Sequence, residues 1–137
     1  VESRDGLFYL PQTTLRGVAA KATGNGDFHA PAAQLAAIRA LRAGPASPYV
    51  DPRLKDVPVN FLSNVDTTGG NSGSPTLNAR GELVGLLFDG TYDTVASDYF
   101  HDRERTRSIH CDSRYLLWVL TAVERADELL RELTIAP

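Results

Sequence analysis

The chain has 137 residues, with 17 acidic and 14 basic side chains for a net charge of -3, and 42% of it is apolar. That is enough for one domain with a real core, while a charged fraction of 23% without any like-charge block argues against disorder and against a basic nucleic-acid face. The longest apolar runs, Leu83 to Phe88 and Tyr115 to Leu120, are too short to span a bilayer, and one Cys excludes an internal disulfide. There is no Met; because translation starts with one, a processed, trimmed or engineered piece of a longer chain is expected.

Residues 1–28 read as short extended segments. Leu7 to Leu10 is an apolar run stopped by Pro11, and Leu15 to Ala20 is a second candidate strand. Gly24-Asn25-Gly26-Asp27 has turn chemistry, since Gly and Asn tolerate positive φ. A helix follows, with Pro31 at its first position, Leu35 and Ile38 on one face, Arg39 and Arg42 near its negative end, and Gly44-Pro45 as the stop. The proline-rich stretch 44–58 predicts an ordered connection. Val59 to Val65 reads as a strand, Asn78-Ala79-Arg80-Gly81 as a hairpin turn, and Leu83 to Phe88 as a buried strand. The polar, mixed-charge stretch 89–108 reads as a surface excursion. A last short strand is expected at Ser108 to Cys111. Asp112 or Ser113 is placed to cap a final helix from Arg114 to Leu133, with a stripe of Leu116, Val119, Leu120, Val123, Ala126, Leu130 and Leu133 and an Asp127–Arg131 pair.

Chemistry concentrates in Thr68-Gly69-Gly70-Asn71-Ser72-Gly73-Ser74-Pro75. A Walker-type loop needs a Lys before Ser/Thr and a following helix, which are missing here. The nucleophile elbow of the α/β-hydrolases needs glycine two positions after the serine, where Ser74 stands. The chymotrypsin-like pattern Gly-acid-Ser-Gly-small-Pro does fit, with Asn71 in the acid's place. Acyl transfer needs a hydroxyl at the tip of a tight loop and N–H groups aimed at the developing oxyanion, each worth roughly 3–4 kcal/mol. Ser72 is therefore the candidate nucleophile, with the N–H groups of Gly70 and Ser72 as oxyanion donors. Asn71 implies no ion pair to a freed N-terminus, hence no trypsin-like zymogen switch.

A serine hydroxyl needs a base. His29 stands at a helix start with no motif around it, His101 lies in a charged surface stretch and His110 in a short strand. None reads as the partner of Ser72, so the base is expected on a part of the protein outside this chain.

The segments Asn60 to Ser63, Thr67 to Pro75, Asn78 to Gly90 and Asp112 to Val119, with Asp5 to Tyr9 and Thr13 to Val18, resemble the bacterial serine dipeptidyl peptidases of the seven/eleven type. The resemblance implies a C-terminal portion, residues 1–137, of a chymotrypsin-like peptidase domain. The fold class would be α+β, mainly β with helices: the second barrel of a double β-barrel plus a C-terminal helix. It implies Ser72 as nucleophile, Gly70 in the oxyanion hole, Asp89 binding the substrate's α-amino group and Gly90 lining the pocket for the residue before the cleaved bond. Members specific for Asp and Glu carry Arg at that last position, so Gly90 implies an apolar preference. Tyr92-Asp93 stands where relatives often have Trp followed by Glu. The implied partners are a peptide substrate and the remainder of the enzyme, which supplies His and Asp; a homodimer of the full-length protein fits the family, and no cofactor, metal, nucleic acid or membrane span is expected. A periplasmic or cell-surface location is implied, and the chain alone should be inactive. Two readings from other classes remain: a non-catalytic module using the Gly-rich loop as an anion or peptide-carboxylate nest, and a trypsin-like endopeptidase.

Overall fold

The computed structural model describes residues 2–4, 7–9, 11–44 and 47–136; Asp5, Gly6, Leu10 and Pro45, named above, lie outside them. The described elements are mixed α and β, and contacts divide them into two compact units. One holds residues 1–12 and 60–113, the other residues 13–59 and 114–137. No described helix is long and apolar enough to cross a membrane.

In the first unit, β1 (Glu2–Arg4) and β2 (Leu7–Tyr9) form an antiparallel pair. The main sheet contains β3 (Asn60–Ser63), β4 (Pro75–Leu77), β5 (Leu83–Gly90) and β6 (Ser108–Asp112) in the antiparallel order β3-β6-β5-β4. The expected turn joins β4 to β5: Asn78 accepts from Gly81 N, and Gly81 takes a left-handed φ of 77°. β5 is less buried than its apolar run suggests, because only Gly85 and Leu87 are enclosed while Leu83 and Phe88 are about half exposed. Gly85 is needed for close approach: a Cβ there would lie 2.7 Å from the Cys111 carbonyl and 2.8 Å from the Phe61 ring. Strand β6 inverts the usual pattern. Its polar residues Ser108, His110 and Asp112 are buried, and Ile109 between them is only partly so.

The second unit packs α1 (Leu15–Lys21), α2 (Ala32–Ala43) and the C-terminal segments around Leu15, Ile38, Val57 and Trp118. Leu15 to Ala20 is thus helix, not strand. Leu15, Val18 and Ala19 recur at helical spacing toward the core. The N-cap Thr14 hydroxyl accepts from Gly17 N, and the Asp56 carboxylate, 40 positions away, accepts from Arg16 N at 2.9 Å. Helix α2 matches its prediction closely, with Pro31 at the N-cap and Gly44 at the C-cap. The 44–58 connection is ordered around Asp51, whose Oδ1 accepts from Arg53 N and Leu54 N and whose Oδ2 accepts from Arg114 Nη1 at 2.8 Å.

The expected final helix is broken. Helix α3 (Ser113–Trp118) passes into a π-helical turn at Val119–Val123, and α4 (Asp127–Glu132) starts after a reversal in which Arg125 adopts a φ of 52°. Glu124 N donates to Val119 O and Ala126 N to Leu120 O, the wide-turn bonds that end the first segment. Arg131 pairs with the Glu128 carboxylate at 3.0 Å and touches only the backbone carbonyl of Asp127. Trp118, outside the predicted stripe, is the largest buried side chain of this unit.

Candidate active site

Two overlapping turns build the loop between β3 and β4, with Asn71 as their pivot. Its Oδ1 accepts from Thr68 N at 2.9 Å, its N–H donates to Thr68 O at 3.3 Å, and its carbonyl accepts from Ser74 N at 3.0 Å. Asn71 therefore spends its side chain inside the loop. Gly70 and Gly73, at φ 95° and 87°, occupy the left-handed region that other residues enter at a cost of about 1–2 kcal/mol. Ser72 stands between them, exposed. The loop's exit is fixed to β5 by Gly73 N to Leu87 O at 2.7 Å and Leu87 N to Ser74 O at 2.9 Å. Among the described residues, the Gly70 N–H, the Ser72 N–H and the Ser72 hydroxyl have no partner within the chain.

The second wall comes from the end of β5. Leu87 pairs with His110 and Asp89 with Ile109, so Phe88 is the extra residue of a β-bulge. A bulge re-aims the side chains that follow it. Asp89 is exposed, and its Oδ1 accepts from Gly90 N at 2.8 Å. Ser72, Asp89 and Gly90 all line one cleft of about 230 Å³, together with residues 67–69, Leu87, Phe88, Thr91, Thr94 and Val95. Gly70 flanks this cleft without lining it. Among the described residues, the cleft's lining carries one carboxylate and no cation.

The space beside Gly90 is occupied. A Cβ at this position would lie 2.6 Å from Thr94 Oγ1 and 2.7 Å from its Cβ and Cγ2. Sequence reading gave Thr94 no role, since only the fold turns the stretch after β5 back onto Gly90.

The histidines are engaged elsewhere. His110 is 1% exposed, stacks on Phe61 with centroids 4.9 Å apart, and meets Ser63 Oγ and Thr76 Oγ1 at 2.7 Å each through its two ring nitrogens. Burial pushes its pKa below the usual imidazole value. His101 Nδ1 approaches Asp66 Oδ1 at 3.5 Å, which is outside good hydrogen-bond geometry. His29 lies in the other unit, with Nδ1 3.0 Å from Gly24 O. Among the described residues, no histidine is bonded to Ser72.

The sequence pattern of the Peptidase S46 family matches residues 1–135. An Asp/Glu-specific dipeptidyl-peptidase of Shewanella putrefaciens is 45% identical over 98% of this chain and 21% of its own length. A dipeptidyl-peptidase 7 of Phocaeicola vulgatus is 38% identical over 96% of this chain and 18% of its own. The crystal structure of Porphyromonas endodontalis DPP11 in complex with the dipeptide Arg-Glu matches with a TM-score of 0.82 at 36% identity, covering 94% of this chain and 18% of that one. This chain spans about a fifth of the length of these relatives. A match over nearly all of the chain, in sequence and in its α+β fold alike, leaves one conclusion: the chain belongs to the Peptidase S46 family.

Proposed function

We propose that this chain is the C-terminal portion of the catalytic domain of a serine-type dipeptidyl aminopeptidase, and that it supplies the nucleophile, the oxyanion donors and the anchor for the substrate's N-terminus. One observation carries the reading: an exposed serine at the tip of a two-glycine loop shares a cleft with a carboxylate. A carboxylate that pairs with an α-ammonium by a charge-assisted contact selects substrates with a free N-terminus, and its fixed place relative to Ser72 measures the length of the fragment removed.

In this mechanism Ser72 Oγ attacks the carbonyl of the second residue while its proton passes to a histidine base. That base is oriented by an aspartate, and both belong to the remainder of a chymotrypsin-like double barrel. The carbonyl oxygen, now an oxyanion, accepts from the N–H groups of Gly70 and Ser72. Collapse breaks the C–N bond as the base returns its proton to the leaving amine, and water then hydrolyses the Ser72 ester to free the dipeptide. Leu87, Phe88 and Val95 in the lining support an apolar residue before the cleaved bond, because the charge that the described residues of this cleft present to an acidic side chain is the like charge of Asp89. One of the two named relatives is an Asp/Glu-specific dipeptidyl-peptidase and the other a dipeptidyl-peptidase 7, so a substrate panel is the decisive measurement. A periplasmic or cell-surface location belongs to the same reading and is checked by cell fractionation.

The test uses the full-length protein and dipeptidyl reporters with Leu, Phe, Asp or Glu before the bond. Release from the apolar reporters, abolished by Ser72→Ala and missing from the isolated 137-residue chain, is the expected result. Failure of a fluorophosphonate probe to label Ser72 identifies a binding module instead, and cleavage within N-terminally blocked peptides identifies an endopeptidase. Preference for Asp or Glu overturns the pocket assignment alone.

A further inference from the structure

Gly90 does not owe its identity to backbone conformation. It is a strand residue paired with Ser108, and its φ lies outside the left-handed region that Gly70 and Gly73 occupy. What forbids a side chain there is Thr94, through contacts of 2.6 and 2.7 Å to all three of its side-chain heavy atoms. Rotation of Thr94 brings no relief, since its Cβ is itself 2.7 Å from the position in question. Nor can its backbone retreat freely: Thr94 N donates to Thr91 O at 2.8 Å, and Ser97 N donates to Thr94 O at 2.9 Å. The hydroxyl donates to Arg107 O at 3.0 Å, a carbonyl that also accepts from Thr91 N at 2.8 Å. A β-branched residue held this way is stiff. Both Gly90 and Thr94 line the cleft beside Ser72 and Asp89.

We propose that Thr94 is a specificity-determining residue that forms the back wall of the pocket at Gly90, the two positions sharing one fixed volume so that either can carry a side chain only at the other's expense. This rests on the reading of the cleft as the substrate site. Its consequence is that position 90 cannot be altered by itself. An arginine placed there finds Thr94 in its path, and a larger substrate side chain finds the same wall.

The experiment is a substrate profile of the full-length protein in five variants, with melting temperature measured alongside. Thr94→Gly removes the wall and should raise kcat/KM for reporters with Phe relative to Ala before the bond by about 10-fold or more, the scale on which pocket volume discriminates. Thr94→Val keeps the volume but loses the bond to Arg107, and should keep the wild-type profile. Gly90→Ala should lower both melting temperature and activity on every reporter. Adding Thr94→Gly should restore them, whereas adding Thr94→Ala should not, because that variant keeps the offending Cβ. An unchanged profile in Thr94→Gly, or equal effects of Thr94→Gly and Thr94→Val, overturns the proposal while the enzyme reading stands. A wild-type protein that releases no dipeptide overturns the enzyme reading and the pocket role with it; the melting temperatures still report whether the two positions share their space.

Discussion

Asp89 offers a clean separation of charge from structure. Its Oδ1 accepts from Gly90 N at 2.8 Å, and an asparagine can accept that same bond. Asp89→Asn in the full-length protein should therefore leave the end of β5 in place while losing the charge proposed to hold the α-ammonium. A hydrogen bond to a charged partner contributes about 1.5–3 kcal/mol, so kcat/KM on dipeptidyl reporters should fall by roughly 10- to 100-fold. Labelling of Ser72 by a fluorophosphonate should continue at its normal rate, since the proposed nucleophile is untouched. Retained kcat/KM in a well-folded Asp89→Asn protein removes Asp89 from substrate binding. Such a role is invisible to composition. Asp-Gly after an apolar run is ordinary turn chemistry, and only the bulge at Phe88 and the shared cleft bring Asp89 to the side of Ser72.

Among the elements, β6 holds the glycine loop that carries Ser72 at both ends. Ser108 Oγ meets Thr67 Oγ1 at 2.5 Å before the loop and donates to Val65 O at 2.9 Å, while His110 meets Thr76 Oγ1 at 2.7 Å just after it. Ser108→Ala removes the part-buried bonds to Val65 O and Thr67 Oγ1, each worth about 0.5–1.5 kcal/mol. It should lower kcat of the full-length protein more than it changes KM, because the loop carries the proposed reacting hydroxyl and not the proposed ammonium anchor. Sequence reasoning could not find this. Alternating polar residues in a strand ordinarily mark its wet face, and here that face is the buried one because hydroxyls and an imidazole satisfy each other. Where local chemistry decides the outcome, the sequence was legible: the glycine loop, the Asn78–Gly81 turn and α2 with its Pro31 and Gly44 limits all stand as expected. It misled where distant residues decide. The α1 segment is helical with the help of Asp56, and the stripe of the last helix continues through a break that its periodicity does not register. Arg125 pays the conformational cost of that break at φ 52°. Arg125→Gly should stabilise the protein by about 1 kcal/mol, read as a raised melting temperature; a drop instead means that the Arg125 side chain contributes more than its backbone costs.

At the scale of the whole molecule, each unit carries a buried group whose titration in acid couples to folding. In the sheet unit, burial holds His110 neutral with its pKa lowered. The unfolded chain binds a proton there near pH 6.5 while the folded chain resists it, so stability falls as pH drops below about 6.5. In the helical unit, the hydrogen bond from Arg114, followed by those from the Leu54 and Arg53 amides, lowers the Asp51 pKa from its usual value to about 2. A depressed carboxylate works the opposite way in origin but with the same sign in acid. Its stabilisation is complete above the unfolded value of about 4 and is lost as pH falls toward 2. Melting temperature plotted against pH should therefore fall in two separate steps. Asp51→Asn should lower the plateau at neutral pH and shrink the second step only, leaving the share of Glu82, whose carboxyl Arg80 and Asn78 also hold below its usual value, since an amide cannot titrate and binds Arg114 without charge. His110→Gln, which keeps a donor and an acceptor near Ser63 and Thr76, should erase the first step only. A single step that survives both substitutions at full size means that carboxylates elsewhere in the chain, and not this pair of buried sites, set its acid limit.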